Sequence, residues 1–295
     1  MKTSARAMKT SATVLYDAPG PRTRRRIAIA STISALILLA LVLIAVREFA
    51  THGQLAAARW RPFTHWPIWR YLLIGLRGTL EAAAYVAVLG AAAGLLFALG
   101  RLSPVRAVRW LAIGYIEIAR TLPVLLLIYV TLFALPRYGL DLPLLWKLVL
   151  PLTVANAAAF AEIFRAGILS LPRGQHEAAL SLGLTRSQSM RLVVLPQALR
   201  RVTPSLVTQL VSLLKDTSLG YIVAFTELIY RAQVLAAYNH LLVQTFLVVT
   251  AVYLVGNGLL SALAHRLQSL SRRRTAGPAD PSQTGPTAAT EEIHA

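Results

Sequence analysis

The sequence predicts an all-α fold, a polytopic membrane bundle of about six transmembrane helices. Three observations lead to this fold class: 56% of the 295 residues are hydrophobic, only 14% are charged, and the apolar residues are gathered in long runs. Soluble domains are about 45–50% apolar and about 25% charged, whereas a transmembrane helix needs roughly 20 mostly apolar residues. The predicted spans cover residues 27–46, 74–100, 107–135, 144–169, 202–225 and 241–263.

The first span, residues 27–46, contains no charged side chain. A cleavable signal peptide is the alternative, but its apolar region is typically about 7–15 residues long, which is shorter than this run. We therefore predict an N-terminal tail over residues 1–26 and a transmembrane helix after it. The basic flank immediately before the span consists of Arg22, Arg24, Arg25 and Arg26.

Lysine and arginine predict the orientation, because loops on the cytoplasmic side carry an excess of them. The N-terminal tail holds seven, the segment after the second span three, the segment after the fourth span six and the C-terminal tail four, so 20 of the 30 lie on one side. We therefore predict that both termini are cytoplasmic. The net charge of +18 does not indicate nucleic-acid binding, since the basic residues alternate with apolar runs. Residues 272–295 are predicted to be a disordered tail.

Several kinds of chemistry have no signature in this sequence. It contains no cysteine, no G-x-x-x-x-G-K-[ST] phosphate loop, no H-E-x-x-H zinc motif and no G-x-S-x-G nucleophile elbow. We therefore expect no catalytic residue, no metal site and no cofactor on this chain, and we do not expect it to be an enzyme. Any process driven by ATP would therefore need a partner that binds the ATP.

A polar segment, residues 171–200, separates the fourth and fifth spans. The residues from Glu177 to Leu180 are good helix formers. Gly183 allows a turn, and Thr185 with Gln188 fits a capping box that starts a second helix. The segment is therefore predicted to form two short helices around a glycine.

The ends of these short helices have further signals. Ser170 is expected to cap the first helix, with Pro172 in its first turn. Pro196 is expected to limit the continuation of the second helix. A surface helix without a partner is the alternative interpretation of the whole segment.

The spacing within this segment resembles a known family. Glu177-Ala178-Ala179, three residues, Gly183, nine residues, Val193, one residue and Leu195-Pro196 resemble the EAA loop of binding-protein-dependent ABC importer permeases, although that family usually has Ile at the position of Val193. The resemblance implies a cytoplasmic coupling helix that binds a groove of a separate ATPase subunit. It implies coupling roles for Glu177, Ala178, Ala179, Gly183, Leu195 and Pro196.

Other segments resemble the polar amino acid branch of that family. The run from Tyr115 to Pro123 follows the pattern YxExxRxxP, and the resemblance extends over about residues 70–265, which leaves the 27–46 helix as an addition to the core. The other matching segments are Ala161-Glu162-Ile163-Phe164-Arg165-Ala166-Gly167 and Leu214-Lys215-Asp216-Thr217-Ser218-Leu219.

This resemblance implies a permease subunit in a bacterial plasma membrane that imports a polar amino acid such as histidine, glutamate, glutamine or arginine. Residues 14–22 resemble the start of a glutamate permease subunit of actinobacteria, which favours glutamate. The implied partners are an ABC ATPase, an extracellular solute-binding protein, the lipid bilayer and a second permease subunit, either this chain again or a related one.

Polar residues within the spans are candidates for the substrate pathway, because ionisable groups in a membrane are costly and often functional. Arg120 precedes Pro123, where we expect the helix to break, and could bind a carboxylate; an ion pair with Glu117 or Glu162 is the alternative. Gly90 and Gly94 have the spacing of close helix packing. The pathway candidates are Arg120, Thr121, Glu162, Lys215, Asp216, Thr217 and Ser218.

Two other functions remain as alternatives. A secondary transporter driven by an ion gradient would show inverted repeats and a carboxylate relay in the membrane, and no internal repeat is evident. A membrane scaffold without transport activity would not need the Glu-Ala-Ala…Gly…Leu-Pro spacing.

Overall fold

The computed structural model describes residues 20–275, and no β-strand occurs among them. The chain divides into two compact units, one ending at Thr64 and the other beginning at His65. The predicted all-α fold class is confirmed. The N-terminal residues 1–19 and most of the predicted C-terminal tail lie outside the described residues.

The first unit contains a long helix, α1 (Pro21–Thr51), followed by α2 (Ala57–Trp60) and a 3₁₀ helix (Arg61–Thr64). Helix α1 begins before the apolar run, within the predicted tail over residues 1–26. Its first turn contains Pro21, which suits that position because a proline lacks the N–H that would be unpaired there. The arginines that follow are good helix formers, so the helix extends beyond the part that the hydropathy predicts.

The second unit is built from long helices and short, bent segments. Helices α3 (Trp66–Arg101) and α4 (Arg106–Thr121) come first. The next elements are α5 (Val124–Tyr129), a π-helical turn (Val130–Ala134), α6 (Leu135–Arg137) and α7 (Leu144–Leu169). The last are α8 (Arg173–Ser181), α9 (Arg186–Ser189), a second π-helical turn (Met190–Val194), α10 (Leu195–Asp216), a 3₁₀ helix (Thr217–Val223), α11 (Leu228–Asn239) and α12 (Leu242–Thr275).

The number of spans agrees with the predicted six only when bent helix pairs are counted. Four of the described helices, α1, α3, α7 and the first part of α12, are long and apolar enough to cross a bilayer. The third and fifth predicted spans are each bent, by 97° at the end of α4 and by 52° before α11, and bring the number to six. Helix α11 occupies a stretch that we predicted as a loop, and α12 continues into the predicted tail as far as Thr275.

Helices α3 and α7 form the most extensive helix pair of the second unit. A Cβ atom placed on Gly94 would lie 2.6 Å from Cβ of Phe160 and 2.8 Å from the carbonyl oxygen of Ala157. Gly90, one turn earlier, faces the Phe160 ring. Since small residues let helix backbones approach closely, the two glycines set the distance between α3 and α7, as their spacing predicts.

Each π-helical turn ends two residues before a proline, Pro136 in one case and Pro196 in the other. A proline in a helix removes one hydrogen bond and collides with the carbonyl group four residues earlier. The wider π-helical turn is a local rearrangement of the hydrogen-bond ladder that accommodates this. The helix therefore continues past Pro196 into α10 instead of ending there.

The N-terminus of α11 is buried, and its backbone amides donate hydrogen bonds to side-chain oxygens. Glu227 is 0% exposed, and its carboxylate accepts from the amides of Ile229 (2.7 Å) and Tyr230 (2.6 Å). The hydroxyl of Thr79, on α3, accepts from the amide of Leu228 at 3.1 Å. Non-helical backbone at membrane depth is tolerated only where its polar groups are satisfied inside the protein, and these two side chains do so.

We predict that Gly94→Ala destabilises the protein by about 1–3 kcal/mol, because the added methyl overpacks a close contact with the α7 backbone. Urea or SDS unfolding in detergent micelles, followed by tryptophan fluorescence, measures the change. Gly114→Ala is the matched control, since a Cβ there has no neighbour within 4 Å. It should be neutral or stabilising by up to ~1 kcal/mol through helix propensity; equal effects of the two substitutions would contradict the close contact.

Candidate functional site

The 171–200 loop is an ordered helical hairpin. Helix α8 ends in a turn at Gly183, whose φ of +83° is in the left-handed region that favours glycine. Helix α9 then begins with a complete capping box: the amide of Gln188 donates to the Thr185 hydroxyl at 3.3 Å, and the amide of Thr185 donates to the Gln188 side chain at 2.8 Å. The predicted turn and the predicted cap are both confirmed.

The start of α8 differs from the prediction. Ser170 does not cap it, because its hydroxyl donates to the carbonyl oxygen of Gly167 at 2.8 Å and so belongs to the end of α7. Pro172 is itself the residue that precedes the first turn. A serine that follows a helix can bond back to that helix, and here this local bond is favoured over the cap.

Hydrogen bonds of polar side chains join α8 to α9 and α10, and join α10 to the end of α7. The imidazole Nδ1 of His176 lies 2.8 Å from the hydroxyl of Ser189, which is fully buried. The amide of Gln197 donates to the Gln175 side chain at 3.0 Å. The guanidinium of Arg201 donates to the carbonyl oxygen of Ser170 at 2.6 Å. These three contacts make the hairpin one rigid piece.

An apolar cluster fixes the same hairpin to the helix bundle. Val194 and Ala198 are buried against Ile168, near the end of α7. Leu99 and Leu102, at the end of α3, pack against this cluster. The hairpin is therefore packed directly against the ends of α3 and α7.

The six predicted coupling residues fall into two groups. Ala179 is buried and Leu195 packs into the apolar cluster, so both hold the hairpin in place. Glu177, Ala178, Gly183 and Pro196 are exposed. Leu182, beside the turn, is 84% exposed. The exposed group offers a carboxylate and an apolar side chain on a rigid support, which suits contact with another protein.

Glu162 lies in an ion cluster, which we call the charge cluster and define as Arg101, Glu117, Glu162 and Arg165. Arg101 donates to one oxygen of Glu162, and Arg165 donates to the other at 2.8 and 3.0 Å. Arg101 also lies 3.5 Å from Glu117. The cluster joins the end of α3 to α4 and α7 and has no net formal charge.

Arg120 and Thr121 lie at the break between α4 and α5. The helix ends at Thr121, as expected from Pro123, and both side chains are exposed. Arg120 forms no salt bridge with the side chains that the structure describes, because Glu117 and Glu162 are paired with other arginines. The structure therefore does not contain the alternative ion pair of Arg120 with Glu117 or Glu162.

Lys215 and Ser218 line the same cavity, with a volume of about 330 Å³, between the end of α10, α11 and α12. Lys215 is the cavity's one ionisable lining residue apart from Tyr253. It makes no salt bridge with the described side chains. The other lining residues are Ile229, Thr250, Tyr253, Leu254 and Asn257.

Asp216 and Thr217 are not among the residues that line this cavity. Thr217 is buried, and its hydroxyl donates to the carbonyl oxygen of Leu214 at 2.7 Å. Asp216 is a hydrogen-bonding neighbour of Asn156, on α7. The Asn156 side chain also accepts a 2.8 Å hydrogen bond from Gln209, on α10.

Sequence reasoning missed several residues of these sites. Asn156, Asn257 and Glu227 are polar residues within or beside apolar runs, which is a signal that could have been used. Arg101 had no such signal, since it follows a predicted span where basic residues are ordinary. Its role depends on the distance between α3 and α7.

The bent membrane helices and the rigid hairpin define a membrane transport component, and comparisons with known proteins agree. Residues 90–273 match the family model "Binding-protein-dependent transport system inner membrane component". The chain belongs to this family, as its loop spacing predicts. Membership also confirms that the chain is not itself an enzyme.

Curated relatives and a solved structure give the same result. The chain is 36% identical to the glutamate transport system permease protein GluD of Corynebacterium glutamicum, covering 74% of this chain and 81% of the relative. It is 38% identical to the probable glutamine ABC transporter permease protein GlnP of Bacillus subtilis, covering 67% and 92%. A crystal structure of an amino acid ABC transporter with histidines matches with a TM-score of 0.64 and 29% identity, covering 69% of this chain and 94% of that one.

We predict that Thr185→Ala destabilises the hairpin locally by about 1 kcal/mol, because it removes the side-chain acceptor of the capping box. Hydrogen exchange should then become about fivefold faster in peptides that cover α9. Ser181→Ala is the control, since the Ser181 hydroxyl bonds only within its own helix and its loss should leave α9 unchanged. Unaltered exchange in Thr185→Ala would contradict a role for the cap in ordering the loop.

Proposed function

We propose that this chain is the permease subunit of an ATP-binding-cassette importer for a polar amino acid, with glutamate as the substrate. It acts with a separate ATPase that binds ATP, a second permease subunit and an extracellular solute-binding protein. Family membership and the names of the relatives support the class of transporter. The choice of glutamate needs its own argument, since GluD and GlnP are about equally similar to this chain.

The 171–200 loop is the observation that carries the proposal. Its exposed residues are on a hairpin whose parts are joined by hydrogen bonds and which packs against α3 and α7; they are Glu177, Ala178, Leu182, Gly183 and Pro196. A rigid segment transmits the motion of a partner to the bundle, whereas a loose one would absorb it. ATPase closure can favour one state of the permease only through contacts that differ between the states, and these residues make those contacts in our proposal.

The proposed orientation follows from the loop. If the ATPase binds at 171–200, this loop is cytoplasmic, which agrees with the excess of basic residues on the same side. An even number of spans then places both termini in the cytoplasm. The substrate enters from the opposite face, where the solute-binding protein delivers it.

The cavity at Lys215 supports an anionic substrate. The Lys215 ammonium is available to a carboxylate, and the buried Asn257 Oδ1, which has no hydrogen-bond partner among the described side chains, can accept from an ammonium group. The Lys215 cation at this cavity favours a substrate with net negative charge over neutral glutamine, and it repels arginine. We therefore propose that glutamate binds here during translocation.

Glu177→Lys should weaken ATPase association at least tenfold, because it reverses the one acidic charge on the exposed group. Co-purification of the tagged permease with its ATPase, followed by ATP-dependent glutamate uptake in liposomes, measures this. Glu48→Lys reverses an exposed acid outside the loop and is the control. Uptake that ignores ATP and follows a proton or sodium gradient would establish the secondary-transporter alternative instead.

Lys215→Met should lower glutamate uptake about 10- to 100-fold, since a hydrogen bond to a charged group contributes about 1.5–3 kcal/mol. Glutamine uptake, if present, should fall less. Lys215→Arg keeps the charge and should retain most of the glutamate uptake. An unchanged ratio of glutamate to glutamine uptake in Lys215→Met would exclude Lys215 from substrate selection.

A further inference from the structure

The charge cluster lies between the 171–200 loop and the break at the end of α4. Arg101 belongs to the last turn of α3, between Leu99 and Leu102 in the sequence. Those two leucines pack against Val194 and Ala198 in and beside the loop. A displacement of the loop therefore reaches Arg101 through direct apolar contact.

The four charges differ in how firmly they are held. Glu162 has both carboxylate oxygens occupied by arginines and is 21% exposed, so it forms the fixed centre. Glu117 is 55% exposed and has one contact, at 3.5 Å, with Arg101. The link between Arg101 and Glu117 is therefore the weaker arm of the cluster and reaches a different helix.

Helix α4 connects Glu117 with the bend at residues 122–123, beside the pathway candidates Arg120 and Thr121. It lies against α3 and α7 through Tyr115, whose ring stacks on Phe97 and whose hydroxyl donates to the carbonyl oxygen of Val154 at 2.9 Å. Four residues after Glu117 the helix ends at Thr121, where the chain bends by 97°. A rotation of α4 about Tyr115 would move this bend and the exposed Arg120.

We propose that Arg101 and Glu117 are positioning residues that transmit movement of the 171–200 loop to α4 and so to the bend at residues 122–123. The role rests on the proposed binding of an ATPase to the loop. Glu162 and Arg165 hold Arg101 in place, and Glu117 receives the movement. This assignment gives Glu117, the acidic residue of the YxExxRxxP segment, a role in transport that requires no contact with the substrate.

The absence of cysteine from the chain makes a site-specific test possible. A spin label on Trp110→Cys reports on α4, where Trp110 is 67% exposed. A second label on Arg186→Cys reports on the loop. The spectra are recorded for the complete complex in liposomes, with and without ATP under conditions that prevent hydrolysis.

In the parent chain both labels should respond to ATP. In Glu117→Gln the loop label should still respond and the α4 label should lose its response, while the ATP hydrolysed per glutamate imported rises at least about threefold, within the range for residues that carry coupling. Glu117→Asp should restore both readouts toward the parent values. Glu81→Gln, which neutralises an exposed acid on α3 that has no salt bridge among the described residues, should change neither.

An α4 label that responds equally in Glu117→Gln, with an unchanged ATP-to-glutamate ratio, would overturn the proposal. A parallel loss of folded yield and of all activities would also overturn it, since that is the effect of a purely structural ion pair. If the loop label does not respond even in the parent chain, the ATPase does not act through the loop. That result would refute the proposed function itself.

Discussion

The close contact between α3 and α7 is the constraint on which the rest of the bundle depends. Gly94 brings the backbone of α3 against Phe160 and the backbone of α7, at a distance that no side chain larger than a hydrogen atom would allow. Within a bilayer, apolar surface gives no hydrophobic gain when helices associate, so packing and hydrogen bonds must hold them together. The Glu162–Arg101 pair and the apolar anchor of the 171–200 loop both use residues from the ends of these two helices.

Backbone breaks inside the bundle obey a second constraint, since an unpaired N–H or C=O in a membrane costs several kcal/mol. Pro136 and Pro196 are each preceded by a π-helical turn that accommodates the missing hydrogen bond. The start of α11 is satisfied by Glu227 and Thr79. The bend before α11 therefore lies where the protein supplies hydrogen-bond partners for the backbone.

Charges within the core have separate uses. The charge cluster pairs two acids with two arginines, so each of its charges lies beside an opposite charge. Lys215 and Arg120 form no salt bridge with the side chains that the structure describes, and they face a cavity or an exposed break. The paired charges of the cluster suit a connection between helices, whereas a cation without a salt bridge suits the binding of an anionic ligand. Glu162 and Lys215 are both ionisable residues within predicted spans, and the sequence alone could not separate these two uses.

The sequence by itself determined the class of fold, the number of apolar runs, the helix break before Pro123, the close packing at Gly94, and the turn and cap of the 171–200 loop. These follow from hydropathy, from proline and glycine stereochemistry and from bonds between residues a few positions apart, all of which are local. Tertiary structure alone decided that the first turn of α11 is satisfied by Thr79 and that Glu162 pairs with Arg101, 61 residues away. Such contacts depend on which helices are neighbours, and the pattern along one chain does not contain that information.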